Sequence, residues 1–441
     1  MDFLTGKIKP MYFKYLSAAF GSSFAMSIYS CVDMAMVGQF QGPEGTAALA
    51  VVAPLWNIIN SLGFLRGIGG SVIFATLRGE SERNRKRSNE VFTASLIGGA
   101  ILALISWIAI VFFDDELLTL FGAEETLLPV AKEYLVTIKM IFPSFLFVQL
   151  VSAYLRNDGA PGLATKGVLI GGVFNILGDY IFIFPMGMGV FGGGLATSLG
   201  SVFSLLIMLT HFFSKKNTLR LERPTRLLST LGRINLTGFS TFFVDIAMGI
   251  LTILFNRQIL TYLGTDALAV YGIIINISTF VQCCAYSVGQ AAQPIISTNY
   301  GAKQGGRIRE VLKYALGTAA AFGIVWTLMA MIAPDLFVRI FMAPTERILE
   351  IAPYIIRVYG ISFLLLPFNI FSTYYFQALL KPQTAFIVSV ARGAVISGGL
   401  ILLLPLVTEN ALWFAMPITE LLVAVFVVVM MIRYTKKLSN W

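Results

Sequence analysis

The chain has 441 residues, of which 57% are hydrophobic and 12% are charged, and its formal net charge is +9. Soluble domains carry about 25% charged residues, so this composition excludes an ordinary soluble protein. The basic residues occur in short runs between apolar stretches rather than on one polar module, which argues against nucleic acid as a partner and indicates loops beside a lipid bilayer. The three cysteines all lie in apolar segments, so they suggest neither a disulfide framework nor a CxxC metal site, and no cofactor is expected.

Long apolar stretches recur along the whole chain. A transmembrane helix needs roughly 20 mostly apolar residues, and the sequence predicts an all-α membrane protein with twelve such helices. The first apolar run is too long for a signal peptide and contains Asp33, so we interpret it as a retained helix. The predicted spans are 13–37, 49–76, 91–113, 129–155, 167–185, 193–213, 235–258, 267–297, 314–334, 351–380, 384–406 and 411–432.

The basic residues fall mainly on one side of these predicted spans. The N-terminal segment, the C-terminal tail and the alternate loops between them hold 24 of the 32 Lys and Arg residues, whereas the opposite loops hold two, Arg339 and Arg347. Cytoplasmic loops of membrane proteins are enriched in Lys and Arg. We therefore expect both termini on the cytoplasmic side of the plasma membrane, which is the inner membrane if the source is prokaryotic.

The chain contains an internal repeat. Residues 120–160 align with residues 340–380 at an offset of 220. Repeats of this kind are typical of transporters that work by alternating access. The aligned pairs include Tyr134 with Tyr354, Phe145 with Leu365, Gln149 with Asn369, and Tyr154 with Tyr374.

The repeat predicts two pseudo-symmetric six-helix lobes. The N-lobe is assigned to residues 1–213, a cytoplasmic linker to 214–233 and the C-lobe to 234–441. Because six is even, both lobes have the same topology, and a monomer with two parallel lobes suits alternating access.

Buried acids are the main functional candidates, because an ionisable group at membrane depth is costly and usually faces a cavity. Asn175 and Asp179 are four residues apart and share one helix face, and Asp33 in the first span is the expected partner. Burial and like-charge repulsion would favour a proton or Na⁺ on this pair, which could then be exchanged for a cationic substrate. The alternative is that the two acids are separately paired with Lys139 or with arginines.

The second half of the chain has two further acids within predicted spans. Asp245 lies in span 7 and Glu420 in span 12. They could form another cation site or receive a cationic drug, and a structural ion pair is the alternative for each.

Several motifs, taken in order, resemble those of the multidrug and toxic compound extrusion (MATE) family over essentially the whole chain. They are Val32-Asp-Met-Ala-Met-Val-Gly38, Leu155-Arg-Asn-Asp-Gly-Ala-Pro161, Asn175 to Asp179, Gly193-Gly-Leu-Ala-Thr197, and Pro294-Ile-Ile-Ser-Thr-Asn-Tyr-Gly-Ala302.

The resemblance implies a twelve-helix transporter that exports organic cations against an inward flow of H⁺ or Na⁺. The family's N-lobe coupling carboxylates fall on Asp33 and Asp179, and its span 7 acid falls on Asp245. Asn369 stands where many members carry an aspartate in span 10, so the possible C-lobe site comprises Asp245, Asn369 and Glu420. The proline often found early in span 1 is absent, and Ala18 occupies that region.

Three other functions remain to be weighed. A flippase of lipid-linked oligosaccharides would need cations for a diphosphate, and Arg66, Arg257 and Arg357 are the candidates. An intramembrane enzyme is not supported, because the sequence has no HExxH or GxSxG motif and only one histidine. A channel is disfavoured, because tandem lobes with single buried acids indicate an occluded binding site.

Overall fold

The computed structural model describes residues 3–121, 123, 125–341 and 344–438, apart from the side chains of Pro43 and Thr46. All the regular secondary structure in these ranges is helical, with no strand. The ends of the two predicted lobes, residues 1–2 and 439–441, lie outside the described residues.

The described ranges contain twelve helices that are long and apolar enough to cross a membrane, which confirms the predicted all-α membrane fold. The N-terminal six are α1 Ile8–Gly42, α2 Ala47–Glu80, α3 Glu82–Phe112, α4 Leu128–Asn157, α5 Pro161–Ile183 and α6 Gly189–Phe213. The C-terminal six are α7 Leu227–Tyr262, α8 Thr265–Gly301, α9 Gly305–Ile332, α10 Glu346–Ala378, α11 Pro382–Leu406 and α12 Glu409–Lys437.

A glycine separates the first two helices. Gly42 has φ 69° and ψ −153°, which no helix accommodates, and a residue with a Cβ atom would be strained there. The chain therefore bends sharply at this point, and Asp33 is placed in α1 only nine residues before the bend.

The internal repeat extends to short elements that the sequence did not predict. The helix Asp114–Leu120 follows α3, and the helix Pro334–Phe341 follows α9. Their first residues are separated by the same offset of 220 that relates the two halves of the sequence.

The chain forms two compact units, and their limits differ from the predicted lobe boundaries. The first unit contains residues 21–242, and the second contains residues 3–20 and 243–438. The linker 214–233 therefore belongs to the first unit together with the start of α7, whereas the start of α1 belongs to the second unit. These two exchanged segments are equivalent positions of the repeat.

Packing explains this exchange. Ile8, Met11 and Tyr15, on one face of α1, are buried in the apolar core of the second unit. In the first unit, Gly238 of α7 lies so close to α2 that an added Cβ atom would collide with the carbonyl oxygen of Leu65. Small residues permit this backbone approach between helices.

Candidate functional site

A cavity of about 330 Å³ lies within the first unit, between α1, α2, α4, α5 and α6. Asp33 is the sole carboxylate among the described residues that line it, and none of those residues is Lys or Arg. The lining residues are Met26, Tyr29, Ser30, Asp33, Ala53, Trp56, Asn57, Asn60, Tyr134, Phe145, Val148, Gln149, Val168, Gly171, Gly172, Asn175, Thr197, Gly200, Ser201 and Ser204.

Asp33 is held by hydroxyl groups from two other helices. Its side chain is 8% exposed, and Tyr134 of α4 donates a hydrogen bond of 2.8 Å to its Oδ2 atom. Thr197 of α6 lies beside the same carboxylate and is 3.3 Å from the Tyr134 hydroxyl. The carboxylate therefore has oriented neighbours, and none of them carries a positive charge.

Asp179 is buried more completely than Asp33. It is fully buried on α5, and neither carboxylate oxygen has a hydrogen-bond partner among the described residues. It lies within range of electrostatic interaction with Asp33. Asn175, one turn earlier, donates from Nδ2 to Thr197 Oγ1 at 3.3 Å. Asp33 and Asn175 thus meet at Thr197, and Asp179 lies within electrostatic range of Asp33 without lining the cavity.

The possible cationic partner from the sequence analysis lies elsewhere. Lys139 donates from Nζ to Asp114 Oδ2 at 2.5 Å, and Asp114 also pairs with Lys132 at 3.5 Å. Neither Asp33 nor Asp179 forms an ion pair among the described residues, and burial of a carboxylate without such a partner favours its neutral or cation-bound form. Carboxylate, amide and hydroxyl oxygens are suitable ligands for a hard cation such as Na⁺.

The wall of the cavity also presents aromatic and amide groups. The rings of Trp56 and Phe145 meet edge to face with centroids 4.5 Å apart. Gln149 Nε2 donates to Asn60 Oδ1 at 3.1 Å and lies 4.0 Å from the sulfur of Met26. Flat apolar cations bind well to such surfaces through stacking and cation–π contact.

Sequence reasoning did not assign several of these residues to the site. Tyr134 and Gln149 stood out only as matched positions of the repeat, and Thr197 only as the end of a glycine-rich motif. Trp56 and Asn60 carried no signal, because their contacts depend on helices far apart in the sequence.

In the second unit, Asn369 and Glu420 are in direct contact. Asn369 Nδ2 donates to Glu420 Oε2 at 2.6 Å and to its carbonyl oxygen at 2.9 Å. Arg392 donates from Nε and Nη2 to Glu420 Oε1, each at 2.8 Å. Arg392 lies on a π-helical turn, Ala391–Val395, that interrupts α11. Glu420 is therefore neutralised by an arginine in this arrangement, unlike Asp33 and Asp179.

Asp245, the third residue of the possible C-lobe site, has a different partner. Its Oδ1 atom accepts a hydrogen bond of 2.9 Å from the hydroxyl of Tyr286. Tyr286 in turn lies within electrostatic range of Arg392, so it interacts with Asp245 and also with the arginine of the Glu420 pair.

The three arginines considered for a diphosphate are divided between the two units. Arg66 belongs to the first unit, whereas Arg257 and Arg357 belong to the second. Arg66 is buried, and its Nε and Nη1 atoms have no partner within the described ranges. Arg357 donates from Nε to the carbonyl oxygen of Met331 at 3.0 Å.

Comparison of the sequence with known proteins gives a consistent result. The model of the MatE family matches residues 18–181 and 239–397. The multidrug export protein MepA of Staphylococcus aureus (strain MSSA476) is 25% identical over 374 residues, which cover 84% of this chain and 81% of MepA.

Solved structures with the same fold cover nearly the whole chain. A multidrug resistance MATE family transporter of the MOP superfamily, in an outward-facing conformation, superposes with a TM-score of 0.90 at 22% identity, covering 100% of this chain and 98% of the other. The MATE multidrug transporter DinF-BH, in complex with R6G, gives a TM-score of 0.88 at 27% identity, covering 97% and 96%.

Proposed function

The chain belongs to the MatE family of membrane transporters, and we propose that it exports organic cations in exchange for H⁺ or Na⁺ by alternating access. As a member of this family it is a multi-pass membrane protein and a secondary transporter rather than an enzyme. The substrate class and the coupling ion are the parts that we propose.

The main support for a cationic substrate is the charge of the cavity wall. Asp33 supplies a negative charge, and no described lining residue supplies a positive one. A cation with an aromatic body would place its charge near this carboxylate and its rings against Trp56 and Phe145. The names of the relatives, a multidrug export protein and a transporter bound to R6G, support the same class.

The coupling role is proposed for Asp33, Asn175 and Asp179. Two carboxylates at membrane depth cannot both remain charged without a proton or a cation. Entry of a cationic substrate beside Asp33 would displace the bound H⁺ or Na⁺. Rebinding of the H⁺ or Na⁺ would then displace the substrate. This competition couples the two fluxes without requiring both to bind at once.

The flippase function is the less favoured alternative. A diphosphate entering this cavity would meet Asp33 instead of an arginine, and repulsion between like charges would weaken its binding. Arg66 is the one buried candidate among the three arginines, and it does not line the cavity.

The test is dye efflux from proteoliposomes with a pH gradient or a sodium gradient imposed separately. The wild type should export ethidium under at least one gradient, and Asp179→Asn should abolish the gradient-driven component. Asp115→Asn is the matched control, because its side chain is 57% exposed and pairs with Lys132 outside the cavity. If folded protein is indifferent to both gradients and binds no cationic dye, the proposal fails; turnover of a lipid-linked precursor would then support the flippase.

A further inference from the structure

A second cavity, a groove of about 470 Å³, lies within the second unit between α9, α10 and α12. None of its lining residues belongs to the candidate sites described above. Two of them, Arg309 and Lys436, are basic and exposed, and most of the others are apolar. The apolar part includes Leu312, Leu316 and Ile432.

The basic residues lie at one end of this groove. Arg309 is in the first turns of α9, which begins at Gly305, and Lys436 is in the last turn of α12. The two helix ends touch, since a Cβ atom added to Gly305 would collide with the carbonyl oxygen of Leu438. Both positive charges are therefore at the boundary of the membrane-spanning region.

The apolar part extends inward from these charges over most of the depth of one membrane leaflet. Leu316 is seven residues beyond Arg309, which corresponds to about 10 Å along the helix axis. Val428 is eight residues before Lys436, which corresponds to about 12 Å. The hydrocarbon core of a bilayer is about 30 Å thick, so one leaflet occupies about 15 Å.

The groove is open toward the surroundings of the helices. Val428 is 45% exposed and Ile432 is 52% exposed, although both line it. An acyl chain could enter sideways from the bilayer, and an apolar trough of this length has nothing to offer a small free anion. The combination of two cations at the boundary and an apolar trough that runs through most of one leaflet fits an amphiphile with a negative head.

We infer that this groove is a binding site for an anionic phospholipid. Its phosphate lies between Arg309 and Lys436, and one of its acyl chains lies along Leu312, Leu316 and Ile432. Basic residues beside the ends of transmembrane helices favour anionic lipid heads, each by about fivefold in affinity. The inference concerns α9 and α12 alone and does not depend on the transported substrate.

The test is native mass spectrometry of the purified full chain in detergent, titrated with phosphatidylglycerol or with phosphatidylcholine of the same acyl chains. The wild type should retain phosphatidylglycerol in preference to phosphatidylcholine. The double variant Arg309→Gln with Lys436→Gln should bind phosphatidylglycerol roughly 25-fold more weakly. The matched control, Lys313→Gln with Lys437→Gln, removes the same charge from the same two helices at positions that do not line the groove, and its loss of affinity should be at least about fivefold smaller than that of the double groove variant.

A second variant tests the trough rather than the charges. Ile432→Trp places a larger side chain in the groove from an exposed position, so the fold should survive, and it should lower phosphatidylglycerol binding while both basic residues remain. Equal losses in the control and groove variants, equal retention of both lipids by the wild type, or unchanged binding in Ile432→Trp would each overturn the inference.

Discussion

The hydroxyl of Tyr134 is hydrogen bonded to Oδ2 of Asp33 at 2.8 Å, and the backbone of Tyr134 is pressed against α6. A Cβ atom added to Gly194 would collide with the carbonyl oxygen of Tyr134. The backbone of Tyr134 therefore packs directly on α6, and its hydroxyl is bonded to the carboxylate from that position. In the proposed exchange, this bond orients Asp33 toward the cavity.

We expect Tyr134→Phe to fold normally and to reduce gradient-driven dye efflux about tenfold, because a hydrogen bond to a charged group is worth about 1.5–3 kcal/mol. The measurement is initial efflux rate in proteoliposomes at matched protein density. Tyr154→Phe is the control: it removes another buried hydroxyl of α4, bonded to Ser95 at 2.7 Å, that does not line the cavity. Equal rates in the two variants would show that the Tyr134 hydroxyl does not position Asp33.

Much of the fold followed from the sequence because apolar length is a local property. Each of the twelve helices in the described ranges overlaps a predicted span, and the repeat anticipated the equivalence of the two halves. The unit boundary at Phe20 and Gly21 was not predictable, because α1 continues unbroken through it and only its packing partners change.

The candidate site was predictable where it depends on local sequence. Asn175 and Asp179 share a helix face, so their proximity follows from spacing alone. By contrast, Arg392 and Glu420 lie on different helices, 28 residues apart, and the sequence indicated Glu420 as a buried acid without showing which residue it binds. Pairing between helices depends on packing that no local pattern encodes.

The Arg392–Glu420 pair should contribute to stability rather than to coupling. Glu420→Gln would leave a buried guanidinium without its counter-charge, and removing one partner of a buried pair costs about 3–5 kcal/mol. We expect a large fall in the thermal unfolding midpoint of purified protein. The double variant Glu420→Gln with Arg392→Met should recover much of it, because neither charge is then stranded. A double variant as unstable as the single one would contradict this account.

Asp158 anchors the segment that follows α6. Its carboxylate binds His211 Nε2 at 2.7 Å and the backbone nitrogen of Thr218 at 3.0 Å, and it also accepts from the Thr218 hydroxyl. Arg78 donates to the same Thr218 hydroxyl at 2.8 Å. The predicted linker is thus tied to the first unit partly through Asp158, beside other bonds such as the one that the backbone nitrogen of Glu222 donates to Thr93.

We expect Asp158→Asn to loosen this segment, because an amide cannot accept all of these bonds at once. Limited trypsin digestion should cut the linker after Lys215, Lys216 or Arg220 several times faster than in the wild type. Glu82→Gln is the control, since its side chain is 90% exposed. Unchanged cleavage in Asp158→Asn would mean that other contacts hold the linker.

Asp114 provides a test of pH dependence outside the membrane-spanning helices. Burial alone would raise its pKa, but the hydrogen bonds and charges of Lys139 and Lys132 outweigh burial and lower it. A carboxylate with a lowered pKa in the folded state stabilises the protein above its unfolded pKa of about 4 and loses that contribution as the pH falls further. Because Lys132 is partly exposed, we expect Asp114→Asn to cost only about 1 kcal/mol of folding stability at neutral pH.

The thermal unfolding midpoint, measured from pH 3 to pH 7, should fall less steeply below pH 4 in Asp114→Asn than in the wild type. Asp115→Asn should follow the wild-type curve, and a wild-type slope in Asp114→Asn would assign the acid sensitivity to other carboxylates.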